Sequence, residues 1–362
     1  MGKSSNLETP KRRLNRPTIK DLAKLAGVSP ATVSLALNGS PLVAEDTAKY
    51  VKKMAAEHEY RSNAIARRLS KGCSETITLF ILGDREDNAG WLLSSTWTYI
   101  GPILKGAGLT LSRQSYNLQF EVLTGDESNN LQRITDTANE NSVDGILIFV
   151  HDKNDYSLWQ EIEKINIPIV IINANISSQF SSIEIDNYQG ARDAVNYLLG
   201  LGHKNIAHIS GPFHSLNAQD RRNAYLDSLR KAGIHSRTEY ILEGNWRIDS
   251  GYRLMGRLLE QNEPPTAVFC ANDHMAIGAM KAIHDRGIRV PEDISLIGFD
   301  DSELSETVSP RIASIRQPLE DIGHIAATEM LRSIQDKSGE TVRHIVVPTK
   351  LVTKESCRGL LS

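Results

Sequence analysis

TIKDLAKLAGVSPATVSLALNG, residues 18–39, holds two short apolar-patterned runs on either side of Gly27. Thr18 followed three residues later by Asp21 has the form of a capping box, each side chain accepting from the other residue's backbone amide. Ile19, Leu22, Ala23, Leu25 and Ala26 then recur at helical spacing. Gly27 stands where a helix ends in a positive φ that costs glycine little. Ser29 before Pro30 is a second start signal, an N-cap and then proline at the first helical position. That second helix runs to Asn38 and Gly39. Two short helices across a glycine-containing turn predict a helix-turn-helix. Val33, Ala36 and Leu37 then face a small core, while Ser29, Thr32, Ser34 and Asn38 present small polar groups to phosphates or base edges. A third helix is expected from Glu45 to about His58, with Ala48, Val51, Met54 and Ala55 inward. A three-helix bundle with no ligand would have the same core, so the pattern alone does not decide.

The charge shifts the balance toward nucleic acid. Residues 1–72 carry 14 Lys and Arg against 6 Asp and Glu, out of 41 and 44 in the whole chain. A basic head on an acidic body fits a polyanionic partner for the head alone. At 362 residues the chain is expected to fold as two or three units. It has no apolar run of about 18 residues that would span a membrane. MGKSSNLETPKRRLNRP is basic but no apolar stretch follows it, which argues against a secretory signal. Cys73, Cys270 and Cys357 are few, odd in number and far apart, which fits a reducing compartment better than a disulfide framework. No Cys or His spacing points to a metal site, and no cofactor is expected.

From Thr76 onward short β-branched runs alternate with amphipathic helices. ITLFIL (77–82), LQFEVLTG (118–125), DGILIFV (144–150) and IPIVIIN (167–173) read as strands, with helices over Ile100–Tyr116 and Asn129–Asn141. KNIAHISG, PTAVFCAND and DISLIGFDD continue the strands in the second half, separated by RRNAYLDSLRKAG and HMAIGAMKAIHDRG. This grammar predicts doubly wound parallel-sheet lobes. Ligands in such sheets bind at the carboxyl ends of strands. Asn173, Asn272–Asp273 and Asp300–Asp301 lie at such ends here. For Asp273 and Asp301, capping the next helix or turn is an equally good reading.

Residues 18–39 and YRSNAIARRLS (60–70) closely resemble the head of the lactose-repressor (LacI-type) family of bacterial transcription regulators. The resemblance continues through DGILIF (144–149), IDNYQGARDAVNYLLGLGHKNIAHISGP (185–212), CANDHMAIGAMKAIHDRGIRVPEDISLIGFDD (270–301), ASIRQPLEDIG (313–323) and VPTKLVTKESC (347–357). Motifs of this length, in this order, are far more specific than one short pattern. Several positions depart from the family: Leu35, Pro30 and Ala31 in the recognition helix, Ala44 where a serine cap is common, and Ser62 where proline is usual. Leu35 cannot hydrogen-bond a guanine edge but suits a thymine methyl. Residues 83–98, with Trp91 and Trp97, replace a short loop that overhangs the cleft in the family.

The resemblance implies a helical head and an α/β body like a periplasmic sugar-binding protein. The expected organisation is a basic tail (1–17), a helix-turn-helix domain (18–62), a hinge helix and linker (63–75) and an effector-binding, dimerising body (76–362). Lobe 1 would comprise about 76–185 and 315–343 and lobe 2 about 186–314 and 344–357, with crossings near Asp186, Ser314 and Arg343. The residues implied for DNA contact are Ser29, Pro30, Ala31, Thr32, Ser34, Leu35 and Asn38 in the head and Asn63, Ala66 and Leu69 in the hinge. In the family the hinge folds on operator DNA and a leucine matching Leu69 wedges a base step. Asn173, Arg221, Trp246, Asn272 and Asp300 are implied for the effector pocket, a set that suits a ring bearing hydroxyls or amides. The expected protein is a nucleoid-associated repressor in the cytoplasm. It would bind a pseudo-palindromic operator as a homodimer, with a tetramer also open, under control of a sugar or sugar derivative, with a purine or nucleoside as runner-up. A solute-binding protein without DNA binding is the alternative. An enzyme is a third class, against which stands the absence of any GxSxG, P-loop or GxGxxG in the right context.

Overall fold

The computed structural model describes residues 17–37, 39–58, 60, 73–83, 96–123, 126–140, 142–150, 156–336 and 341–360. Contacts divide the chain into two compact units, Met1–Ser74 and Glu75–Ser362.

The first unit holds helices α1 (Ile19–Ala26), α2 (Pro30–Leu37) and α3 (Glu45–Glu57). Both expected caps form. The Asp21 amide donates to Thr18 Oγ1 at 3.3 Å and the Thr18 amide to Asp21 Oδ2 at 2.9 Å, and Gly27 takes φ 66°. The Thr32 amide donates to Ser29 Oγ at 3.0 Å. Leu22, Ala23, Ala26, Val33, Ala36, Val51 and Ala55 form the core. Four of these seven are alanines that bury little apolar area each, so the end caps matter for these short helices. Leu25 departs from expectation: it is exposed rather than part of the buried stripe.

The second unit is built on two parallel sheets. Strands β1 (Thr76–Leu82), β2 (Asn117–Leu123), β3 (Gly145–Val150), β4 (Ile169–Ile172), β5 (Ser181–Ile185) and a later strand, His344–Val347, form the first, in the order last-5-4-3-1-2. Strands β6 (Ile206–Ser210), β7 (Ile241–Glu243), β8 (Ala267–Cys270) and β9 (Ser295–Ile297) form the second, in the order 7-6-8-9. Helices cover both faces, so β1, β3 and β4 are buried throughout and read as continuous apolar runs. Strand β10 (Ser314–Arg316) pairs antiparallel with β12 (Lys350–Val352) between them.

One boundary differs from the sequence reading, and one strand is absent from it. His344–Val347, which becomes β11, pairs in parallel with β5 through Val346 and Glu184. The segment from 344 therefore begins in the first lobe, and the third crossing falls after Val347 instead of near Arg343. Strand β5 carries no strong strand pattern, because Ser181 and Ser182 replace apolar residues. Their buried hydroxyls are satisfied by Glu329 and by His344 Nδ1, at 2.9 and 3.0 Å.

The first long body helix, α4 (Thr96–Arg113), starts earlier than Ile100 and crosses Leu319–Gln335, the last helix, at two glycines. A Cβ on Gly106 would meet Glu320 O at 2.0 Å, and one on Gly323 would meet Ile103 O at 2.0 Å. Only glycine permits backbones this close. The crossing brings Tyr99, at the start of one helix, beside Gln317, just before the other. Among the described residues no helix is long and apolar enough to cross a membrane.

Candidate DNA-reading helix and candidate ligand pocket

Helix α2 buries Val33 and Ala36 completely and turns Pro30, Ala31 and Leu35 outward, with Leu35 37% exposed. Ser29 is exposed, and Thr32 and Ser34 are half-buried. The Ser29 and Thr32 hydroxyls lie 2.8 Å apart, so Ser29 is committed first to capping. Asn38, Asn63, Ala66 and Leu69 lie outside the described residues, as does Trp91.

Four of the five body residues expected in a pocket, Asn173, Trp246, Asn272 and Asp300, lie at strand ends or in the loops that follow them, and Arg221 lies within a helix. Three carry strained backbone: Asn173 at φ 75°, Trp246 at 67° and Asp300 at 116°. A non-glycine residue in the left-handed region costs of order 1–3 kcal/mol and persists only where its surroundings hold it. Asn173 Nδ2 donates to Val150 O at 2.9 Å, and the Tyr99 hydroxyl lies 3.3 Å from Asn173 Oδ1 and 2.9 Å from Gln317 Oε1. Gln317 Nε2 donates to Asp300 Oδ1 at 2.5 Å. A polar chain therefore runs Asn173–Tyr99–Gln317–Asp300.

Arg221 comes from the helix Leu216–Lys231 and is 3% exposed. Its Nε and Nη2 donate to Asn187 Oδ1 at 2.9 and 2.7 Å, and Nη1 donates to Ala271 O. The guanidinium lies 3.7 Å from the Phe299 ring centroid and 5.5 Å from that of Trp246. The Trp246 ring rests on Gly211, where a Cβ would come within 2.2 Å of it, and the Trp246 indole Nε1 is buried without a partner among the described residues. Asn272 holds this arrangement from behind. Its Nδ2 donates to Trp246 O at 2.9 Å, and its Oδ1 caps the helix Asp273–His284 by accepting from Met275 N at 3.0 Å.

Burial, then the neighbouring Asp273 carboxylate, push the Asp300 carboxyl well above the usual carboxylate range, against the pull of Arg221. Burial lowers the Arg221 pKa, an effect opposed chiefly by Asp300. The two adjacent acids have structural partners. Asp273 does not cap: it accepts from Ser302 N, Ser302 Oγ and Ser314 Oγ at 2.7, 2.9 and 2.6 Å. Asp301 pairs with Lys354 and Arg316, each at 2.6 Å.

A cavity of about 600 Å³ opens beside Asp300, lined by Trp97, Tyr99, Pro102, Ser302 and Gln317 among others. Of the five expected residues only Asp300 lines it; Asn173 joins through Tyr99, while Arg221, Trp246 and Asn272 form the adjoining cluster. Trp97 also packs its ring 6.0 Å from that of Phe120. Sequence reading missed Tyr99, Gln317, Asn187 and Phe299. Asn187, Phe299 and Gln317 lay within quoted motifs and Tyr99 did not, but nothing local marked any of them as a contact. Among the described residues no cluster of acids, His and Cys could hold a metal ion.

Residues 18–63 match the family model described as "Bacterial regulatory proteins, lacI family", and residues 195–357 match a periplasmic binding protein-like domain. The chain is 35% identical over 344 residues to the probable HTH-type transcriptional repressor ExuR of Bacillus subtilis, covering 95% of this chain and 99% of that one. It is 36% identical over 345 residues to the repressor PurR of Vibrio vulnificus, with the same coverage. Among solved structures, the lac repressor dimer bound to operator and the anti-inducer ONPF superposes with TM-score 0.79 at 26% identity, over 95% of this chain and all of that one. The complex of the transcriptional regulator CelR with cellobiose gives 0.70 at 29% identity, over 94% and 100%. The relatives named here are transcriptional regulators, not enzymes. With an exposed second helix capped by Ser29 in its head and two parallel-sheet lobes in its body, the chain belongs to the LacI family of bacterial DNA-binding transcription regulators.

Proposed function

We propose that the chain is a repressor at the nucleoid that binds a pseudo-palindromic operator as a dimer and changes its occupancy when a small ring compound enters the body cleft. The effector is a sugar or sugar derivative, with a purine or nucleoside as runner-up, and the chain binds it without converting it. The observation that carries this reading is α2. Ser29 caps it, Val33 and Ala36 anchor it, and Pro30, Ala31, Ser34 and Leu35 are left on its outer side. One such helix reads only a few base pairs, so two heads on two half-sites are needed for selectivity. In this reading Asn38 adds to the head contacts, and Asn63, Ala66 and Leu69 act in the minor groove. Asn173, Arg221, Trp246, Asn272 and Asp300 serve the effector.

Fluorescence anisotropy on operator fragments at several salt concentrations tests the claim. Full-length chain should bind one palindrome selectively, with affinity falling steeply as salt rises. Residues 75–362 alone should not bind it, and Leu69→Ala should weaken binding by a few kcal/mol at most. Operator selection by residues 75–362 would refute the reading.

A further inference from the structure

We propose that the head selects its operator through pyrimidine C5 methyl groups, buried against Ala31 and Leu35, so that 5-methylcytosine substitutes for thymine at the positions these residues face. This rests on reading α2 as the DNA-reading helix, and it adds the chemical group that is read.

The first observation is the chemistry of the outer side of α2. The helix is PATVSLAL, with no amide, carboxylate, guanidinium or ammonium side chain among its 8 residues. Pro30, Ala31 and Leu35 are exposed, and the spacing of Ala31 and Leu35 puts them on one face. The N-terminal residues of a recognition helix are the ones that reach base edges. Two nearby hydroxyls are already engaged. Ser29 Oγ accepts from the Thr32 amide at 3.0 Å and lies 2.8 Å from the Thr32 hydroxyl. Ser34 is half-buried, and a hydroxyl that donates and accepts alike selects little between bases. Telling bases apart by hydrogen bonds takes a forked group, such as Arg on guanine or Asn on adenine. Helix α2 has none, and Asn38, the next residue, suits an adenine edge and leaves the other positions to Ala31 and Leu35. What an apolar side chain can read in the major groove is the thymine methyl.

The second observation is where the charge lies. No Lys or Arg occurs between Lys24 and Lys49, a stretch that holds the turn and all of α2, although the head as a whole is basic. Exposed lysines, Lys20, Lys24 and Lys52 among them, lie on either side of it in the sequence. Phosphate contacts supply salt-dependent affinity and carry no sequence information. An uncharged reading face between basic flanks divides the work: charge holds the duplex, and the apolar face chooses among sequences.

The third observation is Leu35 itself, 37% exposed beside a core made largely of alanines. One exposed leucine is ordinary on a protein surface. On the side of α2 that enters the groove it loses water on binding, and a methyl opposite it makes that burial favourable. Cytosine offers no methyl. 5-Methylcytosine offers one at the same ring position while exchanging the O4 acceptor for an N4 donor, a difference that neither Ala31 nor Leu35 can register.

The test uses the full-length chain and a duplex that it selects from a randomised library. Each thymine of the half-site is replaced, symmetrically in both half-sites, by deoxyuridine, by 5-methylcytosine paired with guanine, or by cytosine paired with guanine. Fluorescence anisotropy at several salt concentrations reads the affinities. At one or more thymines deoxyuridine, which lacks only the methyl, should weaken binding about fourfold per methyl and about fifteenfold for the symmetric pair. The salt slope should not change. 5-Methylcytosine should recover most of the loss and cytosine none of it. Leu35→Ala should shrink the deoxyuridine penalty at one of those thymines, which altered DNA stiffness alone would not do. No penalty for deoxyuridine at any thymine, 5-methylcytosine no better than cytosine, or penalties that Leu35→Ala leaves unchanged throughout would each overturn the proposal. The two failures are distinguishable. A chain that selects no sequence overturns the reading of α2 as well, whereas a selected duplex indifferent to the methyl leaves that reading standing and the chemical group wrong.

Discussion

The Tyr99 hydroxyl lies 2.9 Å from Gln317 Oε1, across 218 residues of sequence. One group belongs to the first turn of the helix Thr96–Arg113; the other follows the strand Ser314–Arg316, which leads back from the second lobe to the first. Through Gln317 the contact reaches Asp300 in the second lobe, and on its other side Tyr99 approaches Asn173 in the first. The rim of the cleft is thus tied together by a hydrogen-bonded chain.

Tyr99→Phe should remove the donor that Gln317 Oε1 receives while leaving the ring against Phe149, whose centroid is 6.0 Å away. The expected loss is about 1 kcal/mol, in the range of a buried neutral hydrogen bond. Urea unfolding of full-length wild type and variant checks it, and superimposable curves would contradict the role assigned to the hydroxyl.

Leu35 is 37% exposed on the outer side of α2, so changing it should spare the core of the head. Leu35→Gln should shift base preference at one operator position from thymine toward adenine, by roughly 1–3 kcal/mol of discrimination. The salt dependence should not change, since no phosphate contact is altered. Binding to a randomised operator library reads the outcome. A uniform loss of affinity with unchanged preference would mean that Leu35 does not face the bases.

His208 is fully buried between Tyr225 and Phe269, with centroids at 5.1 and 4.7 Å. Its Nδ1 lies 3.0 Å from Phe269 O, which can only accept, so the proton sits on Nδ1, and Nε2 has no partner among the described residues. Burial lowers its pKa to about 3, from 6.5 in an open chain. The folded state therefore resists the proton that the unfolded state takes up. Its contribution is whole above pH 6.5 and declines as the pH falls toward 3, by up to about 1.4 kcal/mol per pH unit. The raised pKa of Asp300 acts in the opposite direction, so the comparison must be with His208→Leu. Melting temperature against pH should fall less steeply below pH 6.5 in the variant than in wild type. Parallel profiles would count against a neutral buried His208.

Asp301 and Lys354 have side chains 3% and 4% exposed and lie 2.6 Å apart. Asp301→Ala would leave Lys354 with Glu306 as its remaining acidic partner and Arg316 with none in the described structure. Removing one member of a buried pair costs about 3–5 kcal/mol. Chemical denaturation should show that loss, and Asp301→Ala should be far more damaging than a change at the exposed Lys281–Asp285 pair. Equal effects would place Asp301 outside the structural network.

Much of the architecture was legible because its signals are local. The Thr18–Asp21 box, the Gly27 stop and the Ser29 cap each depend on residues three or four apart. The buried strands of the first sheet announce themselves as unbroken apolar runs. Leu25 was misread because it has the composition of a core position but lies on the outer side of its helix, a matter of a fraction of a turn. The strand Ser181–Ile185 was missed because its serines depend on Glu329 and His344 for hydrogen bonds, and no neighbour in sequence reveals them.

The sequence alone determined the element types, the basic head on an acidic body, and the positions of Asn173, Asn272 and Asp300 at strand ends. All of these follow from side-chain chemistry and a spacing of two or 3.6 residues. Tertiary structure alone decided that His344–Val347 joins the first sheet, that Tyr99 and Gln317 meet, and that Asn173, Trp246 and Asp300 sit at positive φ. Each of these is a long-range outcome. Strand pairing, two glycines at a helix crossing and the burial of Arg221 against Asn187 and Ala271 are set by groups brought together only when the two lobes fold, so no local pattern can encode them.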